Sequence, residues 1–189
     1  HLLQLIVKAS RATANISGDT GAGTEIVDAD ADTNMDSLIA SVFEAIQKLD
    51  ENDVPSNDRF MVVTPDIYYK LANVDKLVSR DFSANNGDFG KGSVVAIGGV
   101  PVIKSNTAVE SYVNSATDSA TGQNNDYLVN ASDVVATIFQ RGAIGTVKRK
   151  DLTLESTYDP RRMGTLMTAR MMVGHNILRP ECAVSINKS

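Results

Sequence analysis

Two histidines, one cysteine and scattered serines and carboxylates are the groups in these 189 residues with the chemistry for catalysis or metal binding. His1 is terminal, which leaves His175, in the run Val173-Gly174-His175-Asn176-Ile177. A hydrolase built on His175 needs an activated nucleophile, and no G-x-S-x-G elbow presents one. A metal site needs several ligands at fixed spacing, and His175 with Cys182 is too few. Both therefore read as structural, a hydrogen-bonded His and a small buried hydrophobe. Asp28-Ala29-Asp30-Ala31-Asp32 imitates the start of a calcium loop, but Thr33 stands where Gly is expected and Ile39 where the bidentate Glu is expected. The Gly-rich run from Gly18 to Gly23 follows no strand and lacks the Lys-Ser/Thr ending of a phosphate loop, so it reads as a flexible turn. No catalytic, cofactor or metal site is expected.

What remains is charge. Residues 1–140 carry nine Lys/Arg against nineteen Asp/Glu, and residues 141–189 carry nine against four, within a net charge of −5. The basic residues Lys148, Arg149, Lys150, Arg161 and Arg162 would serve a DNA backbone, a solvated face, or an acidic face on another copy of the chain. Subunit contact is the preferred role and DNA proximity the second. No helix-turn-helix, zinc finger or aromatic-rich sheet accompanies them, so sequence-specific reading of DNA is not expected. Tyr68 and Tyr69 would make a base-stacking platform only with interleaved cations, and read as packing.

The elements that carry these residues follow from periodicity. Leu152 to Tyr158 and Gly164 to Val173 both alternate, with Asp159-Pro160-Arg161-Arg162 between them, which predicts two antiparallel strands and a short loop. The two alternations demand a fixed register and predict a packed ribbon. Arg179-Pro180-Glu181 then ends the ladder, since Pro donates no hydrogen bond. Leu2 to Thr13 has a helical stripe, with a Gly/Asp/Thr-rich connector after it to Asn34. Asp36 to Asp50 is the clearest helix, with Asp36 as its expected N-cap. Arg59 to Val63 reads as a buried strand, and Thr64-Pro65 as the start of a helix. Val94–Ile97 and Val100–Ile103 flank Gly98-Gly99 as a hairpin. Asp81–Gly92 and Ser105–Asn125 read as polar loops, and Tyr127–Val129 and Val134–Phe139 as strands. A 42% hydrophobic, Trp-free composition gives an aliphatic core. One Cys excludes an internal disulfide and fits a reducing compartment. No apolar run approaches the roughly 20 residues that span a bilayer.

Several of these stretches, in this order, resemble one family. RGAIGTVKRKDLTLE and GTLMTARMMVGHNILRPECA, preceded by LDENDVPSNDRFMVVTPDIYYKL, RDF with NGD, and GGVPVIKSN, are similar to the major capsid proteins of short-tailed, T-seven-like phages. The resemblance runs from about Asp36 to Ile186. It implies an α+β chain with the Hong Kong ninety-seven capsid fold, and a carboxyl-terminal fragment of the family's length. By that resemblance residues 1–35 are the end of a spine helix and a connector, 36–140 an axial domain, and 141–189 a return to the peripheral domain as a long hairpin. Gly174, His175, Arg179, Pro180 and Glu181 would be structural signatures without activity. The implied role is that of a shell subunit forming pentamers and hexamers around double-stranded DNA in the virion, after assembly in the host cytoplasm. Scaffolding and portal proteins, and a decoration protein in some shells, would be its partners, with no membrane involved. The competing expectations are an encapsulin-like compartment shell and, from another class, a small hydrolase using His175.

Overall fold

The structure, a computed structural model, describes residues 2–11, 22–74, 87–88, 93–94, 96–106 and 133–188. Three helices are present among them: α1 (Leu2–Ser10), α2 (Met35–Glu51) and α3 (Pro65–Leu71). The strands are β1 (Thr24–Val27), β2 (Arg59–Val63), β3 (Gly87–Asp88), β4 (Ser93–Val94), β5 (Ala96–Ile97), β6 (Val100–Lys104), β7 (Val134–Gln140), β8 (Ile144–Asp159), β9 (Gly164–Ile177) and β10 (Ala183–Asn187). Six of them form a mixed sheet in the order β1-β10-β7-β2-β6-β5. β1 runs parallel to β10 and β2 to β6, and the other pairs are antiparallel. The sheet thus draws strands from all three stretches divided at 35/36 and 140/141. β8 and β9 form a separate two-stranded ribbon, and β3 pairs with β4.

The helices form where periodicity and caps agree. Leu38, Val42, Ala45 and Leu49 recur at helical spacing and are buried, and α2 packs on β10, β1 and β7. Fully burying each such leucine contributes about 1.5–3 kcal/mol. The cap differs from the expectation. Asn34, not Asp36, ends the helix, its Oδ1 accepting from Asp36 N (3.1 Å) and Ser37 N (3.4 Å). Asp36 lies one position inside the first turn, where its charge still favours the helix N-terminus. Thr64 and Pro65 start α3 as expected, Thr64 Oγ1 accepting from Ile67 N at 3.5 Å. Gly98 and Gly99 both have positive φ (56° and 81°), as a two-residue hairpin turn needs. A Cβ at Gly98 would stand 2.7 Å from Ile46 Cδ1, so no larger residue fits without a shift.

Three strands were not foreseen, among them the two-residue β3 within the expected Asp81–Gly92 loop. β10 lies between β1 and β7 with all five residues buried, and both α1 and α2 pack on it. Ala183, Ser185 and Asn187 alternate with Val184 and Ile186, a pattern that reads as half-exposed until both faces are covered. β1 lies inside the stretch expected to be a connector and pairs with β10 from Thr24↔Val184 to Val27↔Asn187. The expected strand at Tyr127–Val129, most of both polar loops and the Gly-rich run before Ala22 lie outside the described residues.

Candidate functional site

The ribbon holds most of the residues singled out in the sequence. β8 spans sixteen residues, about 50 Å at roughly 3.3 Å per residue. At its root Ile144 and Ile177 pack against the core, and Leu178 N donates to Ala143 O at 2.9 Å. Arg179, Pro180 and Glu181 form the turn that carries the chain from the ribbon into β10. Pro180 opens a single buried 3-10 turn, and Arg179 Nε donates to the buried Glu181 carboxylate at 2.5 Å. His175 stands directly across from Thr146, its Nδ1 2.9 Å from Thr146 Oγ1, and Gly174 across from Val147. Arg179, Pro180 and Glu181 thus connect ribbon to sheet, while Gly174 and His175 lie within the ribbon near its root. Cys182, just beyond them, is fully buried.

The predicted hairpin is present and longer than expected, with Asp159 closing on Gly164. Asp159 organises the tip: Oδ1 accepts from Arg161 N (3.0 Å) and its carbonyl from Arg162 N (3.3 Å). Met163 completes the turn with φ +47°, unusual outside glycine, and is 86% exposed. The register is regular except between Lys148 and Lys150 and between Lys150 and Thr153, where β8 carries extra residues as bulges. Lys148, Arg149 and Lys150 thus lie at a locally irregular point, while Arg161 and Arg162 lie at the tip. Nine strand residues, 151–159, lie between Lys150 and the tip turn that holds Arg161, roughly 30 Å, so the five cations make two groups rather than one cluster. Lys148 Nζ pairs with Asp151 at 2.7 Å. That contact, and then the Leu152 N–H, hold the Asp151 carboxyl below its usual range.

The expected packed face is not formed among the described residues. Leu154, Ser156 and Tyr158 lie across from Ala169, Met167 and Thr165, so one face carries two apolar side chains of β8 with Met167 and, by alternation, Met171 and Val173. Tyr158, Leu154, Met167 and Met171 are all more than half exposed. Leu166, Met172 and Val147 are equally exposed on the other face. A two-stranded ribbon is at best marginally stable in water, and contiguous apolar exposure on this scale marks a binding surface.

A second feature was not anticipated. A cleft of about 620 Å³ opens at the ribbon's root, lined mainly by Leu2, Leu3, Phe60, Phe139, Ile144 and Arg141. Phe60 and Phe139, read from the sequence only as strand residues, are paired neighbours on one sheet face. Its rim meets the turn before β2, where Arg141 N donates to Asp58 O (3.2 Å) and Gln140 Nε2 to Asn57 O (3.5 Å). Elsewhere the calcium-like aspartates hold the fold. Asp28 Oδ2 accepts from Ser37 and Ser41 hydroxyls, each at 2.8 Å, tying the connector to α2. Among the described residues no group of three His, Cys, Asp or Glu side chains is placed to hold a metal.

The family model described as "Gp10A-like: Major capsid protein" matches residues 1–187. The chain belongs to that family. Its major capsid protein relative from Escherichia phage T7 is 27% identical over 158 residues, covering 79% of this chain and 46% of the relative. The Enterobacteria phage T3 major capsid protein is 30% identical over 162 residues, covering 79% and 45%. The chain thus spans about half the length of the curated relatives it matches. A capsid structure of the cyanophage P-SCSP1u superposes with a TM-score of 0.82 at 31% identity, over 98% of this chain and 59% of that one. The mature capsid of bacteriophage PhiM1 superposes at 0.75 with 21% identity, over 99% and 58%. The fold is therefore the α+β Hong Kong ninety-seven capsid fold, and the role the family implies is structural rather than enzymatic.

Proposed function

We propose that this chain is the shell-forming part of a phage major capsid subunit, which assembles with its copies into pentamers and hexamers around double-stranded DNA. The observation that carries the reading is the ribbon: β8 and β9 present large, exposed apolar side chains on both faces, with nothing among the described residues to cover them. Identical subunits that each offer such a surface associate head to tail, and the contacts close into rings when the rotation allows. Many modest interfaces of this kind hold a shell without any single strong one.

In this reading α1 and the ribbon belong to the peripheral domain, and the six-stranded sheet with α2 and α3 to the axial domain, with β1 and β10 added from the flanking stretches. Lys148, Arg149, Lys150, Arg161 and Arg162 contact neighbouring subunits, and packaged DNA is touched without sequence specificity. Scaffolding, portal and decoration proteins would be partners of the full-length subunit, which assembles in the host cytoplasm and ends in the virion. Electron microscopy of the expressed full-length protein tests this. Closed icosahedral shells are expected. A protein that stays monomeric under all assembly conditions, or particles loaded with protein cargo in the native source, would contradict it.

A further inference from the structure

The geometry points to a specific head-to-tail contact: the ribbon tip of one copy docks in the root cleft of the next copy, with Met163 as the inserted side chain. This rests on the shell-subunit reading and names the surface within it. The tip is an apolar knob next to two cations, since Met163 is the most exposed large hydrophobic side chain described and follows Arg161 and Arg162. Neither arginine has an ion-pair partner among the described residues. The cleft is complementary in both respects. Leu2, Leu3, Phe60, Phe139 and Ile144 make an apolar floor, and the exposed residue Asp58 is held next to the lining residue Arg141 by a backbone hydrogen bond. Asp58 itself has φ +59°, and its carbonyl accepts from Arg141 N, so its position is fixed before any partner arrives. Among the described residues Arg141 is the one cation lining the cleft, and Asp159 at the tip supplies the opposite charge.

The chain's own tip cannot reach the cleft. Ile144 and Thr146 at the base of β8 line it, and Met163 lies beyond the far end of that strand, about 50 Å away along a register-locked ribbon. The contact is therefore intermolecular. It joins two different patches of the same chain, which is the heterologous type that builds rings.

Cysteine pairing in full-length particles tests it. Met163→Cys subunits are mixed with Leu2→Cys subunits, assembled and mildly oxidised. Thr146→Cys replaces Leu2→Cys if that variant fails to fold, because Thr146 is exposed and lines the same cleft. Disulfide-linked dimers are expected in the mixed particles and not with either variant alone. Dimers from Met163→Cys alone would mean that tips meet tips, and intact mixed shells without cross-links would place the tip elsewhere. Either result overturns the contact while leaving the shell reading in place, whereas wild-type protein that forms no shell overturns both. Charge supplies an independent readout. Arg161→Glu with Arg162→Glu should slow assembly about tenfold or more, and Asp58→Lys in the same chain should restore part of it. No recovery with Asp58→Lys, in a chain that still folds, argues against the rim assignment.

Discussion

Replacing Met167 with Asp separates the two roles that an alternating ribbon can have. Met167 is 70% exposed in the single chain. Fully burying a methionine is worth about 1.5–3 kcal/mol, so the small buried part contributes at most about 1 kcal/mol to the fold. The variant chain should therefore unfold in urea within about 1 kcal/mol of the wild type. In a shell, the same position would bury an unpaired carboxylate at a cost of about 3–5 kcal/mol per contact. That weakens each contact by roughly two to four orders of magnitude. Light scattering of the full-length variant should then show no assembly at concentrations where the wild type forms particles. A loss of several kcal/mol in the isolated chain would mean that the face is buried within the subunit. Normal assembly would mean that this face meets no neighbour.

Other substitutions probe the scaffold behind the ribbon. Arg59 is 5% exposed and donates to Asp50 Oδ1 (2.7 Å), Pro55 O (3.0 Å) and Val54 O, so Arg59→Met should cost about 2–4 kcal/mol by leaving these acceptors short of donors. Asp50→Asn should cost under about 1 kcal/mol, because that carboxylate is mostly exposed; urea titrations of both variants check the asymmetry. Asn34→Ala should cost about 1 kcal/mol, as caps do, and Asp36→Ala clearly less, which thermal unfolding of the pair will show. Burial alone would raise the Asp28 carboxyl, but donation from Ser37, Ser41 and the Asp30 N–H outweighs it and holds the group below its ordinary value. A depressed folded pKa gives stability that is present above the unfolded value of about 3.9 and is lost as pH falls through the folded one. Asp28→Asn should therefore flatten the stability profile below about pH 4 and leave its shape at neutral pH unchanged, as read by urea titrations across pH.

Much of this was legible where a local rule and the tertiary context agree. Thr64-Pro65, the Gly98-Gly99 turn, the apolar stripe of α2 and the paired alternations of β8 and β9 each carry their own chemistry in sequence. The misses have a common cause. Asn34 and Asp36 are both capping types two residues apart, and only the backbone φ at Asn34 decides between them. β10 has polar residues at two of five positions, and its burial depends on α1 and α2 arriving from distant sequence. The ribbon was expected to pack because alternation implies a buried face, yet alternation does not say whether the cover comes from the same chain. The cleft combines α1, β2, β7 and β8, and no local pattern encodes such a meeting.

Methionine oxidation tests the central claim, that neighbouring copies cover the ribbon, most directly. Four of the six methionines lie on it: Met163 at the tip, Met167 and Met171 on one face, Met172 on the other. Met61, fully buried in the sheet, is an internal control. Peroxide should convert the four ribbon methionines quickly in dissociated full-length subunits and spare Met61. In assembled particles the ribbon methionines should become strongly protected, whereas equal oxidation of all four in both states would show a ribbon that no neighbour covers.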